Sequence, residues 1–295
     1  MQVNWGIPVA LGEDRILHPG RWRAARSLGW MVVMTFAIVL AFGPATETLS
    51  HALPPLPMFK FLAKACGALI VLGAYTLLVR MGERRWPIEL SIKEAPSGIF
   101  AGLVIGASMF SVVMAASLAT GLYDFTYLGS ASAWRGAGLA LESGILEEVI
   151  VRGVVLRLVW RAFGPIAAFV ASGLLFGAGH IANPGATLFT TACVAIEAGV
   201  MLGSFYALTG RLWLSIGVHV GWNFTQGYIF GALVSGGDFG ASLAISAPRP
   251  GLSTWLTGGA FGPEASVPAF AVCSTVGAIV LWLAWRADRF LGKAE

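Results

Sequence analysis

At 295 residues, with 57% hydrophobic and only 12% charged residues and a mean hydropathy of +0.77, the chain has too little polar surface to close a soluble globule of its size. Its net charge of +4 does not mark a nucleic-acid partner, because the basic residues are scattered over short loops between apolar runs, a distribution that membrane topology accounts for. The composition predicts an all-α fold, a polytopic transmembrane helix bundle of about eight spans whose solvent is the lipid bilayer.

Residues 1–26 read as a cytoplasmic basic N-terminal arm carrying Arg15, Arg21, Arg23 and Arg26, without the early apolar core of a cleavable signal peptide. Residues 27–132 supply spans one to three. The first runs from Ser27 to Thr46, and the second lies beyond the helix-breaking Pro54, Pro55 and Pro57, from Met58 to Leu78, with Lys60 and Lys64 snorkelling outward. The charged stretch from Arg80 to Glu94 reads as a solvated cytoplasmic loop before the third span, Ala95 to Tyr123.

Residues 133–231 hold spans four to seven and form the expected catalytic core. Span four covers Ala133 to Trp160, and span five ends near His180. The turn signal Asn183-Pro184-Gly185 then divides it from span six, which continues to Leu208. Gly210 and Arg211 connect to span seven, from Leu212 to Gly231. Residues 232–295 read as an extended Gly-, Ser- and Pro-rich loop on the far side, with room for a re-entrant piece, followed by span eight from Ala265 to Trp285. The chain then closes on Arg286, Asp288, Arg289 and Lys293. With both termini inside, 14 Lys and Arg fall in cytoplasmic segments against four outside, which supports this count. Cys66, Cys193 and Cys273 stand singly in apolar runs and read as small hydrophobes.

Ionisable groups inside apolar spans are costly unless paired or used, and they concentrate between Glu147 and Asn223. Glu148 and Arg152, four apart with the acid on the N-terminal side, suit an intrahelical ion pair. Glu147 is rotated about 100° from that pair and is left as a free carboxylate, a candidate general base for water. Phe176 stands four residues before His180, so its ring can orient the imidazole. His219 and Asn223, again four apart, could together donate hydrogen bonds to an oxyanion. Two further acids stand outside this set: Glu142 shares a helical face with Arg135 and is read as its partner, and Glu197 has no local partner and could face the site or a water path.

Glu147-Glu148-Val-Ile-Val-Arg152-Gly153, Phe176-Gly-Ala-Gly-His180 and His219-Val-Gly-Trp-Asn223 resemble the ordered motifs EExxxR, FxxxH and HxxxN/D of the CPBP intramembrane proteases. That family includes CAAX prenyl endopeptidases and bacteriocin-processing or self-immunity proteins. The resemblance covers roughly residues 135 to 230. It implies a peptide-bond hydrolase acting on a membrane-associated peptide or protein, with Glu147 activating water, His180 assisting, and His219 with Asn223 stabilising the oxyanion. Glu148, Arg152 and Phe176 would support them. No cofactor is required by this reading, which favours metal-free, glutamate-activated water. Zinc through Glu147, His180 and His219 is the alternative, although HExxH is absent and Asn223 is a poor zinc ligand. No nucleotide motif is apparent. The expected location is a bacterial inner membrane with both termini cytoplasmic. A non-proteolytic immunity or partner-binding scaffold on the same fold is the competing function, and a proton-coupled transporter is a more distant one.

Overall fold

A computed structural model describes residues 5–290 of the chain; Lys293, expected to help terminate span eight, lies outside them. Helix α1 (Arg23–Ala52) is followed, after the proline cluster, by α2 (Pro57–Glu83) and α3 (Ala95–Ala119). The next span is one continuous helical rod in three parts: α4 (Trp134–Glu148), a π-helical segment (Val149–Leu156) and α5 (Arg157–Phe163). Then come α6 (Pro165–Gly179), α7 (Leu188–Thr209) and α8 (Leu212–Phe224), the last running into a second π-helical segment (Thr225–Ile229). A short α9 (Thr254–Thr257) precedes α10 (Val267–Arg286). Among the described residues, five helical stretches are long and apolar enough to cross a membrane, and α6 is a shorter apolar helix. The chain is an integral membrane helix bundle.

Close helix contact is made through glycine, as expected where lipid removes the hydrophobic drive between helices and packing must supply it. Helices α3 and α8 approach so closely that a Cβ on Gly102 would lie 2.6 Å from the Gly217 Cα, and one on Gly106 2.1 Å from the Val218 carbonyl oxygen. A Cβ on Gly199 of α7 would lie 2.5 Å from the Gly173 Cα of α6. One large apolar cluster joins α1, α2 and the π-helical rod, and a second joins α3, α7, α8 and α10. Between them lies a small cluster that includes Val151, Phe176, Cys193 and Phe261.

The structure departs from the sequence reading at several places. The Arg80 to Glu94 stretch is not simply solvated: Glu83 and Glu89 are buried, and Arg157 grips Glu83 through two bonds of 2.6 and 2.9 Å. Arg85 binds both acids at 2.7 to 2.8 Å, and the Tyr75 hydroxyl donates to Glu89 at 2.5 Å. Buried charge needs such partners, and only a neighbouring helix could provide Arg157. The N-terminal arm is likewise docked. Val9 and Leu17 are buried, and Arg161 binds the Gly12 and Leu17 carbonyls and the Ser27 hydroxyl. Gly210 caps α7 at φ 60°, and a Cβ there would stand 2.3 Å from the Ile7 oxygen of that arm.

Glu142 pairs with Lys64 at 2.6 Å rather than with Arg135, so Lys64 turns inward to a countercharge instead of snorkelling. Arg135 instead reaches the Asp238 carbonyl at 3.4 Å. Cys66 is exposed on α2, whereas Cys193 and Cys273 are buried. The far-side loop contains an element the periodicity did not show, a two-stranded antiparallel sheet of β1 (Tyr123–Tyr127) and β2 (Ala244–Pro248). It ties the end of α3 to the loop before α10. Gly236 (φ 77°) packs that loop onto the turn after His180, where a Cβ would lie 2.0 Å from the Pro184 oxygen.

Candidate active site

Glu147 and Glu148 are the last residues of α4, at the point where the rod passes into π-helix. π-helical turns inside α-helices widen the backbone and re-aim the side chains around them. Adjacent on this rod, the two carboxylates have different surroundings. Glu148 is fully buried and receives Arg152 Nη1 at 2.8 Å. The second terminal nitrogen of Arg152 donates to the Ala198 and Gly199 carbonyls of α7, and its guanidinium lies 4.9 Å from the centre of the Phe176 ring. Glu147 keeps 30% of its side chain exposed and faces a cavity.

His219, held on α8 against the glycines of α3, connects the two acids. Its Nδ1 lies 3.0 Å from Glu148 Oε1 and its Nε2 lies 3.8 Å from Glu147 Oε2. A carboxylate oxygen only accepts, so the Nδ1 proton must point at Glu148. That bond fixes the ring and directs Nε2 into the cavity. Asn223, one turn further on, donates its amide to Ser143 Oγ at 3.1 Å. His219 and Asn223 therefore line the same cavity, but in the resting structure each is bound to a different partner.

His180 stands at the C-terminal cap of α6. Its Nδ1 is 2.8 Å from the Phe176 carbonyl oxygen, and the two rings are 4.8 Å apart. The carbonyl requires a proton on Nδ1, which leaves Nε2 free. Phe176 also stands edge-on to His219 at 6.3 Å, so one ring contacts both histidines and the Arg152 guanidinium.

These side chains border a cavity of about 420 Å³ lined by Glu142, Ser143, Glu147, Phe176, His180, Glu197, His219, Asn223 and Glu264 among others. Glu147, beside the π-helical segment, and His180, at the early end of α6, both line it. Glu197 faces this cavity from α7. Glu264 was missed by the sequence reading because it lies in the loop that precedes α10, far from the motifs. It accepts bonds from the Ser235 amide and hydroxyl and from the Gln226 amide, at 2.5 to 2.9 Å. Burial pushes its carboxyl above the ordinary carboxylate value, and those hydrogen bonds, with His180 nearby, offset part of that rise.

Among the described residues, no group of three or more His, Cys, Asp or Glu is arranged to hold a metal ion. The zinc set of Glu147, His180 and His219 therefore does not fit this geometry. Each histidine turns Nδ1 to a protein oxygen, His180 to Phe176 and His219 to Glu148, and keeps Nε2 free.

Fold and site together define a polytopic membrane protein with a paired-glutamate and histidine site opening on a cavity among its helices. Within it, residues 129–225 match the family model described as type II CAAX prenyl endopeptidase Rce1-like. This span contains all three motifs. No curated protein and no solved structure shows a significant match to the chain.

Proposed function

We propose that the protein is an intramembrane endopeptidase that cleaves a membrane-associated peptide or protein with water activated by Glu147. The observation that carries this reading is the pairing of a half-buried Glu147 carboxylate with the His219 Nε2 3.8 Å away, on a ring already held by Glu148. A water beside that gap can sit at about 2.8 Å from both atoms. The match to the Rce1-like family model supports peptide hydrolysis as the reaction class.

In the proposed reaction Glu147 takes one proton from the water as its oxygen adds to the scissile carbonyl. The carbonyl oxygen becomes the oxyanion of a tetrahedral intermediate. Protonated His219 donates to it through Nε2, with its charge supported by Glu148, and the Asn223 amide exchanges Ser143 for the same oxyanion. Collapse of the intermediate breaks the C–N bond, and the leaving nitrogen takes up the proton held by Glu147, with the free Nε2 of His180 as relay. Glu148, Arg152 and Phe176 position the ring of His219, and of the three only Phe176 also lines the cavity.

Orientation follows from the same architecture. The Arg289 guanidinium binds the Gly6 and Leu208 carbonyls, so both described ends of the chain lie on one face, which we assign to the cytoplasm on the distribution of basic residues.

The test is cleavage of a mass-spectrometric peptide library, lipidated and plain, by the purified protein in nanodiscs, with and without a chelator. Cleavage by wild type that survives the chelator and is lost in Glu147→Ala supports the reading. Loss with the chelator and restoration by zinc replaces it with a metal mechanism. No cleavage of any peptide by wild type favours the scaffold.

A further inference from the structure

Four glutamates line the cavity, and no lysine or arginine does. Glu147 faces His219, and Glu142 has Lys64. Glu264 is held only by the neutral donors Ser235 and Gln226. Glu197 is 4% exposed and faces the cavity from α7, and its Oε1, like Glu147 Oε2, is buried without a hydrogen-bond partner among the described residues; unlike Glu147, it has no histidine beside it in an ion pair. Neither Glu197 nor Glu264 belongs to an ion pair among the described residues. A buried acceptor without a hydrogen-bond partner is unfavourable, and a donor entering the cavity would satisfy it.

The complement is defined by chemistry. Glu197 offers acceptors, Glu264 adds negative potential nearby, and Val194, Met201 and Cys273 supply apolar lining to the same cavity. An ammonium supplies three donors and the missing countercharge. A carboxylate placed beside Glu197 and Glu264 would meet like charge.

We infer that Glu197, backed by Glu264, is a specificity subsite that receives an ammonium group of the substrate peptide, from a lysine side chain or a free α-amine. This deepens the proposed function and rests on it for the word substrate. It predicts peptides cut near a basic residue or a free N-terminus, and disfavours a peptide whose terminal carboxylate must lie beside Glu197.

The experiment measures binding, so that it does not depend on cleavage. Matched fluorescent peptides carrying lysine or norleucine, each with a free or acetylated N-terminus, are titrated into the full-length Glu147→Gln protein in nanodiscs and into Glu147→Gln/Glu197→Gln. The expected result is that a peptide with an ammonium binds roughly tenfold to a hundredfold more tightly than its neutral match, and that the advantage falls at least tenfold when Glu197 is replaced. Loss on lysine replacement assigns the side chain, and loss on acetylation assigns the α-amine. Equal affinity of charged and neutral peptides, or an advantage that survives Glu197→Gln, overturns the inference. Should the double variant not fold, competition by n-butylammonium against n-pentanol for the norleucine peptide on Glu147→Gln decides it, and equal competition overturns it. Absence of peptide cleavage by wild type would count against the hydrolase reading alone, because the binding ratio is read separately.

Discussion

His219 Nδ1 lies 3.0 Å from the same Glu148 oxygen that receives Arg152 at 2.8 Å, so one buried carboxylate both orients the histidine and neutralises the arginine. Removing Glu148 therefore has two separable effects. Glu148→Ala strands the Arg152 charge and should cost about 3–5 kcal/mol, read as thermal unfolding in detergent. Glu148→Ala/Arg152→Met should regain much of that stability while cleavage stays low, because His219 has lost its holder. Recovery of activity along with stability would show that the pair serves folding alone.

The second buried ion cluster should behave as structure only. Glu83 and Arg157 meet at 2.6 Å, both fully buried, away from the cavity. Glu83→Ala should lower unfolding stability by about 3–5 kcal/mol. Surviving folded protein should retain its kcat. A fall in kcat without a fall in stability would contradict that assignment.

Gly106 lets α3 touch the backbone of α8 beside Val218 and Trp222, on either side of His219. Gly106→Leu should push α8 away, costing about 1–3 kcal/mol from overpacking alone, and should cut kcat through misplaced His219 and Asn223. Gly29, with open space around its Cβ position, is the control, and Gly29→Leu should change neither.

Glu264 provides a pH signature. Burial, only partly offset by its hydrogen bonds, raises its folded-state value above the unfolded one. The raised value means that the folded protein holds the proton more tightly, so this contribution is fully present below the unfolded carboxylate value and is lost as pH rises through the folded value. The melting temperature of ligand-free wild type should accordingly fall relative to Glu264→Gln as pH rises above the ordinary carboxylate range. A difference between the two proteins that does not change with pH would contradict this.

What the sequence could reveal was governed by distance along the chain. The partners of the Glu148–Arg152 pair and of the Phe176–His180 ring contact are each one helical turn apart, so residue spacing alone brought them together. Lys64 and Glu142 are 78 residues apart and Arg157 and Glu83 are 74 apart, and no local period could pair them. Arg135 looked like the partner of Glu142 only because it shared a helix. Glu264 was invisible for the same reason, since the loop before α10 reaches the cavity through β1, β2 and the contact of Gly236 with Pro184. The π-helical turn after Glu148 also escaped, because the apolar run Val149–Leu156 carries no sequence mark that separates it from an α-helical span.

The most direct test of the account is the turnover of one cleavable peptide by Glu147→Gln, which keeps the size of the side chain and removes its capacity to accept a proton. The account predicts that kcat falls by roughly 10²–10⁴ while the peptide still binds and the melting temperature holds within a few degrees. Turnover within a few-fold of wild type, with binding and folding equally intact, would contradict glutamate-activated water at this site.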